Sequence, residues 1–148
     1  MSRTVHILNG PNLDRLGLRE PGIYGATTYS ELTVMLECRA GELGVDLVVR
    51  QTAGEGELVT WIHEAGAQAD GLLLNAAAYT HTSVAVRDAL LTLSIPVVEV
   101  HVSNPHAREE FRRTNLVTDV VTATVQGFGV RGYLLAMEGL LSLLEEQG

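Results

Sequence analysis

The sequence predicts an α/β fold: a three-layer sandwich in which helices cover both faces of a five-stranded parallel sheet. Three observations lead there. Short apolar runs alternate with longer segments of helical periodicity, turn residues separate the two kinds, and the apolar run recurs five times along 148 residues. That is the pattern of βαβ units. At 46% hydrophobic residues, the chain carries the apolar content of one compact domain spanning residues 1–148.

In order, the first strand is residues 5–8, Val-His-Ile-Leu. A long connection, residues 9–28, follows it, and connections of that length inside a compact domain tend to be lids or binding loops. A helix is expected over Tyr29–Leu43, a strand over 47–50, a helix over 57–67 and a strand over 72–74. Then come a helix over 83–93, the strand Val97–His101, a short helix around 105–111, a strand over 122–126 and a closing helix over 128–144. Right-handed crossovers limit the alternatives, and a flavodoxin-like arrangement is the leading architecture.

Composition removes whole classes of function. The net charge of −8 argues against broad contact with nucleic acid or an anionic membrane surface. All ten basic residues are arginine, which excludes a lysine Schiff base. With one cysteine, Cys38, no intrachain disulfide forms, and a reducing cytoplasm is expected. Neither a signal peptide nor a membrane span is read in the sequence. Paired histidines on one helix turn, CxxC pairs and carboxylate clusters are missing, so no metal is expected; a lysine-containing phosphate loop is missing too, and no cofactor is expected.

The candidate chemistry gathers at strand ends, where an open parallel sheet binds its ligands. After the first strand, Asn9-Gly10-Pro11-Asn12-Leu13 leads to Arg19-Glu20-Pro21-Gly22-Ile23-Tyr24-Gly25. Positive charge beside a phenol favours the phenolate, which makes Tyr24 a candidate base; the bland alternative is an Asn/Gly/Pro surface loop. In the fourth strand, Glu99 and His101 are two residues apart and share a face of the sheet. A glutamate among valines needs a partner, and a histidine whose tautomer it fixes is an economical one. The pair reads as a general acid, His101, held by Glu99, or as a buried pair serving packing alone.

Asn75 and His81 stand at the third strand's end, whereas Thr82 and Ser83 read more simply as helix caps. Backbone amides at Ser103-Asn104 offer an anion site before the expected short helix. Arg108, Arg112 and Arg113 lie on that segment, and by position alone most such charges are solvated. Cys38, Trp61 and Met137 read as core or subunit-contact residues, and no role is assigned to His6 or His63.

Four ordered motifs now stand out: Leu8-Asn9-Gly10-Pro11-Asn12-Leu13; Arg19-Glu20-Pro21 with Tyr24-Gly25; Tyr79-Thr80-His81-Thr82-Ser83-Val84; and Glu99-Val100-His101-Val102-Ser103-Asn104 running into His106-Ala107-Arg108-Glu109-Glu110-Phe111-Arg112. Together they resemble the type II 3-dehydroquinate dehydratases, small flavodoxin-like enzymes of the shikimate and quinate pathways. The resemblance covers nearly the whole chain. It implies loss of water from 3-dehydroquinate to give 3-dehydroshikimate. Tyr24 would remove the proton from C2, Arg19 would keep the phenol ionised, and Asn12 would help hold the enolate through an ordered water. His101, backed by Glu99, would protonate the departing hydroxyl. Asn75, His81, the backbone at Val102 and Ser103, and Arg112 match substrate contacts, and Asp88 matches a contact supplied by a neighbouring subunit. A dodecamer built as a tetramer of trimers is implied as well.

The chain departs from the family pattern at Ala53 and Gly54 of Gln51-Thr52-Ala53-Gly54, at Ala76-Ala77 and at Asn115, where serine is common. None of these removes a catalytic group. Rival readings are a catalytically silent relative, which only an activity measurement separates, and a phospho-receiver or flavin carrier. A receiver needs an acidic cluster and a lysine, and a flavodoxin needs a Ser/Thr-rich phosphate cradle. This chain has neither.

Overall fold

A computed structural model describes residues 2–147. The elements are β1 (Arg3–Asn9), α1 (Pro21–Tyr24), α2 (Tyr29–Leu43), β2 (Val45–Gln51), α3 (Glu55–Gln68), β3 (Gly71–Asn75), α4 (Val84–Leu91), β4 (Val97–His101), β5 (Ala123–Gln126) and α5 (Arg131–Gln147). The sheet is parallel throughout, in the order β2-β1-β3-β4-β5. The flavodoxin-like expectation holds. The chain leaves β1 for one edge and returns on its other side as β3, so the connections diverge between the ends of β1 and β3 and open a crevice there.

The alternation of side chains across the strands builds two cores. Val5, Ile7, Leu73, Val98 and Val100 face Leu32 and Leu36 of α2 and Tyr133, Met137 and Leu140 of α5. On the opposite face, Leu8, Leu72, Leu74 and Val97 meet Leu58 and Ile62 of α3 and Val86 and Leu90 of α4. Helix ends are locally encoded. Thr28 and Glu31 form a reciprocal capping box on α2.

Ser83 caps α4 as expected: its Oγ accepts from the Val86 N–H at 2.9 Å, and the helix itself starts at Val84. Three expectations need correction. The closing helix begins at Arg131, since Gly127 and Gly129 take positive φ (91° and 67°) and keep the preceding turn irregular. The short helix around 105–111 is instead two 3₁₀ turns, Pro105–Ala107 and Glu110–Arg113. Cys38 is exposed, which leaves subunit contact and removes the core reading for it. Met137 is fully buried, and Trp61 is half-buried beneath the Arg50 guanidinium, 5.3 Å from the ring centroid.

Candidate active site

The crevice is bounded by the segments that leave β1, β3 and β4. Its first wall starts at Gly10, whose N–H donates to the Asn75 carbonyl at 2.8 Å. A Cβ there would lie 2.5 Å from the Ala76 carbonyl oxygen, so only glycine lets the two strand ends approach this closely. Asn12 takes a left-handed conformation, φ 71°, which asparagine tolerates, and buried Leu13 and Leu16 pin the loop to the α2/α5 core. Pro21 opens α1 from its N-terminus and carries the chain to Tyr24. There two guanidiniums meet one ring: Arg19 and Arg108 each lie 5.0 Å from the Tyr24 centroid. Arg108 is steadied by Ser103 Oγ, which accepts from its Nη1 at 3.2 Å.

The end of β4 supplies the opposite chemistry. His101 Nε2 and Glu99 Oε2 are 2.5 Å apart, with both side chains buried. Burial works to raise the Glu99 carboxyl, but hydrogen bonding and charge from His101, followed by the Asn115 hydrogen bond, outweigh it and hold the group below its usual 4.5. An ionised carboxylate only accepts, so Nε2 carries the hydrogen in this bond, and Nδ1 is the ring nitrogen left for a ligand.

Asn75, buried at the end of β3, is oriented from both sides. Its Oδ1 accepts from the Ala77 N–H at 3.1 Å and its Nδ2 donates to the Tyr133 hydroxyl at 2.9 Å. His81 Nδ1 is 2.7 Å from the Thr114 carbonyl. A carbonyl only accepts, so Nδ1 bears the hydrogen and Nε2 offers a lone pair. Burial lowers the His81 imidazole below its usual 6.5, against the Thr114 carbonyl, which works to raise it. The ring is therefore neutral at neutral pH and suited to accept from a ligand hydroxyl.

Asn12, Arg19, Tyr24, Asn75, His81, His101, Val102, Ser103 and Arg112 all line one cavity, with Arg15 and Arg108 beside them. Glu99 stands behind His101. Asp88 is exposed on α4 and does not line this cavity. The lining has four arginines and no Asp or Glu, so a chain of net charge −8 presents a cationic pocket suited to a carboxylate. Among the described residues no group of three or more His, Cys, Asp or Glu is placed to hold a metal ion. Chemically, the cavity sets a phenol between two guanidiniums and a carboxylate-backed imidazole around one ligand: a base, an acid and an anion clamp.

Sequence reasoning left three residues of this arrangement without a role. Arg108 was indistinguishable from a solvated helix arginine, because its approach to Tyr24 depends on a non-local meeting of two loops. Tyr133 reads as an apolar position of α5, and nothing local says that its hydroxyl ends between Asn9 and Asn75. Asn115 was visible only as a departure from the family pattern.

Known proteins resemble this chain along most of its length. A family profile described as Dehydroquinase class II matches residues 3–141. A Mycobacterium bovis protein named 3-dehydroquinate dehydratase is 52% identical over 136 residues, 92% of each chain. One of the same name from Sinorhizobium medicae is 47% identical over 146 residues, 99% of each. The crystal structure of a type II dehydroquinase from Propionibacterium acnes superposes with a TM-score of 0.92 at 46% identity, covering 96% of this chain and 98% of that one.

Proposed function

The chain belongs to the class II dehydroquinase family, and from that premise we infer that it is a hydro-lyase that converts 3-dehydroquinate to 3-dehydroshikimate. The observation that carries the reading is the shared cavity of Tyr24 and His101, one flanked by guanidiniums and the other backed by a carboxylate. A C–H beside a ketone needs a positioned base and a stabiliser for the enolate, and the leaving hydroxyl needs an acid. In this reading Tyr24 takes the proton from C2, with Arg19 and Arg108 holding negative charge on its oxygen. Asn12, on the β1 wall, holds the enolate by way of a water. His101, doubly protonated for this step, then gives its Nδ1 proton to the hydroxyl departing from C1, while Glu99 fixes the ring through Nε2.

The substrate carboxylate falls to the arginines and to the backbone at Val102 and Ser103, and its hydroxyls to Asn75, His81 and Arg112. Arg112 is held towards the cavity by Glu109, which accepts from its Nε at 3.2 Å. The product contains a conjugated enone, so ultraviolet absorbance on adding 3-dehydroquinate tests the reaction directly. A folded protein that produced no absorbance change would instead be the silent relative.

The assembly we propose is a dodecamer, a tetramer of trimers, working in the cytoplasm. Its support is the family resemblance, the exposure of Asp88 away from the cavity of its own chain, and a single exposed thiol suited to a reducing compartment. Light scattering checks the mass. Mixed oligomers of inactive Asp88→Ala and Tyr24→Phe subunits should regain activity, through sites with both groups intact, if Asp88 serves a neighbour.

A further inference from the structure

The segment between β4 and β5 crosses the α4 face of the sheet and passes directly over Glu99. Its position is fixed by several anchors. The Leu116 N–H donates to the Thr80 carbonyl at 2.9 Å, the Leu116 carbonyl accepts from Arg87 Nη1 at 3.0 Å, and Arg87 grips Asp119 through both nitrogens. The Thr114 carbonyl holds His81. Between these anchors sits Asn115, partly buried, with every polar atom of its amide committed. Oδ1 accepts from the N–H groups of Val117 and Thr118, at 2.8 and 2.9 Å. Two backbone donors converging on one atom allow only one orientation of the amide, because the flipped form would set NH₂ against N–H. Nδ2 is thereby aimed outward, and it donates to Glu99 Oε2 at 2.8 Å.

That oxygen is the one that meets His101 Nε2, whereas Oε1 is buried without a partner. A carboxylate in this setting has one oxygen to bind with and two donors for it. Removing the amide donor would leave the carboxylate to His101 and the nearby Thr118 side chain, and would loosen its hold against rotation about its terminal bond.

We propose that Asn115 is a positioning residue for the dehydration: its amide aims the Glu99 carboxylate at His101 Nε2 and so fixes the orientation of the imidazole that acts as the acid. The inference rests on the dehydratase reading above. Asn115 touches neither the cavity nor the substrate and acts through Glu99 alone. Around this carboxylate stand His101 on the same strand and, from the turn after β3, His81, which also feels Arg112. The amide donor adds to the attraction of His101 in keeping Glu99 ionised.

Asn115→Asp separates this role from a purely structural one. The aspartate keeps an oxygen for the Val117 and Thr118 N–H groups, so the turn survives, but it has no hydrogen for Glu99 and sets a like charge beside it. Asn115→Ala loses both functions. Positioning predicts that Asn115→Asp lowers kcat about tenfold or more with KM within about twofold, and that the acidic limb of the kcat profile moves to higher pH. The Glu99 carboxyl carbon, followed by NMR, should titrate at higher pH, a readout that needs no turnover. A structural role predicts the reverse order, with Asn115→Ala impaired and Asn115→Asp near wild type. If Asn115→Asp does not fold, Asn115→Ala must still show the kcat loss and the shifted acidic limb. An unshifted profile in a folded variant of an active wild type would overturn the proposal, and so would an unmoved Glu99 titration. A wild-type enzyme inactive on 3-dehydroquinate would instead refute the reading beneath it.

Discussion

The Tyr133 hydroxyl of α5 donates to Asn9 Oδ1 of β1 at 2.6 Å, and the hydroxyl itself accepts from Asn75 Nδ2 of β3 at 2.9 Å. Asn9 and Asn75 are register partners across the two central strands, so one phenol on a helix ties together the two strand ends between which the crevice opens. Burial pushes this phenol well above its ordinary value, and it stays a donor across the working pH range.

Tyr133→Phe keeps the ring and its packing while leaving an amide oxygen and an amide nitrogen buried without their partner. The expected cost is about 1–3 kcal/mol in denaturant unfolding. Because Asn75 loses one of its two orienting contacts, KM for 3-dehydroquinate should rise more than kcat falls. Unchanged stability and KM would show that the network rearranges without loss.

The turn after β3 carries a local conflict. Ala77 has φ 53°, a left-handed conformation that costs an L-residue with a side chain about 1–2 kcal/mol. The Asn75 side chain and the buried neighbours hold it there. Ala77→Gly removes the strain but gives the unfolded chain more freedom. A net gain of about 0.5–1 kcal/mol is expected, or about 1–4 °C in thermal unfolding at this chain length, with activity retained. A lower midpoint would mean that the methyl packs better than its backbone angle suggests.

These two sites show where sequence reasoning reaches and where it stops. The interior place of β3 follows from local pattern, because an apolar run such as Leu72-Leu73-Leu74 buries on both faces only inside a parallel sheet. Glu99 and His101 were legible for the same reason: two polar residues of one strand face are neighbours by geometry. Arg108, Tyr133 and Asn115 were not, because each earns its contact from segments that meet only in the folded chain. The strained alanine was visible as an unusual residue in a turn, but its sign of φ was not.

Acid should destabilise the fold in two stages. His6 is held below 6.5 by burial and then by Arg50, and His81 by burial. Both therefore bind fewer protons folded than unfolded; their contribution is complete above about 6.5 and is lost as pH falls towards their depressed values. Glu99, also depressed, contributes fully above about 4.5 and loses that contribution as pH falls through its folded value. Unfolding free energy should thus decline from pH 7 to 5 and more steeply below. His6→Leu should flatten the upper part of the curve, and a wild-type curve flat between pH 7 and 5 would contradict the assignment.

Tyr24 offers the cleanest separation of chemistry from structure, because what its neighbours grip is the ring. Arg19 and Arg108 approach the ring centroid from 5.0 Å each, and phenylalanine keeps the face that attracts them. Tyr24→Phe should therefore fold and bind substrate with KM little changed, while kcat drops about a hundredfold to ten-thousandfold, the range of a general base. Arg108→Ala should lower kcat as Arg19→Ala does, since either change strips positive charge from beside the developing phenolate. His101→Ala should match Tyr24→Phe in kcat, and the double variant should lose less than the product of the two single losses if proton removal and hydroxyl departure depend on each other. A folded Tyr24→Phe enzyme that turned over within a fewfold of wild type would remove the phenol from the reaction and leave the base to be sought elsewhere in the cavity.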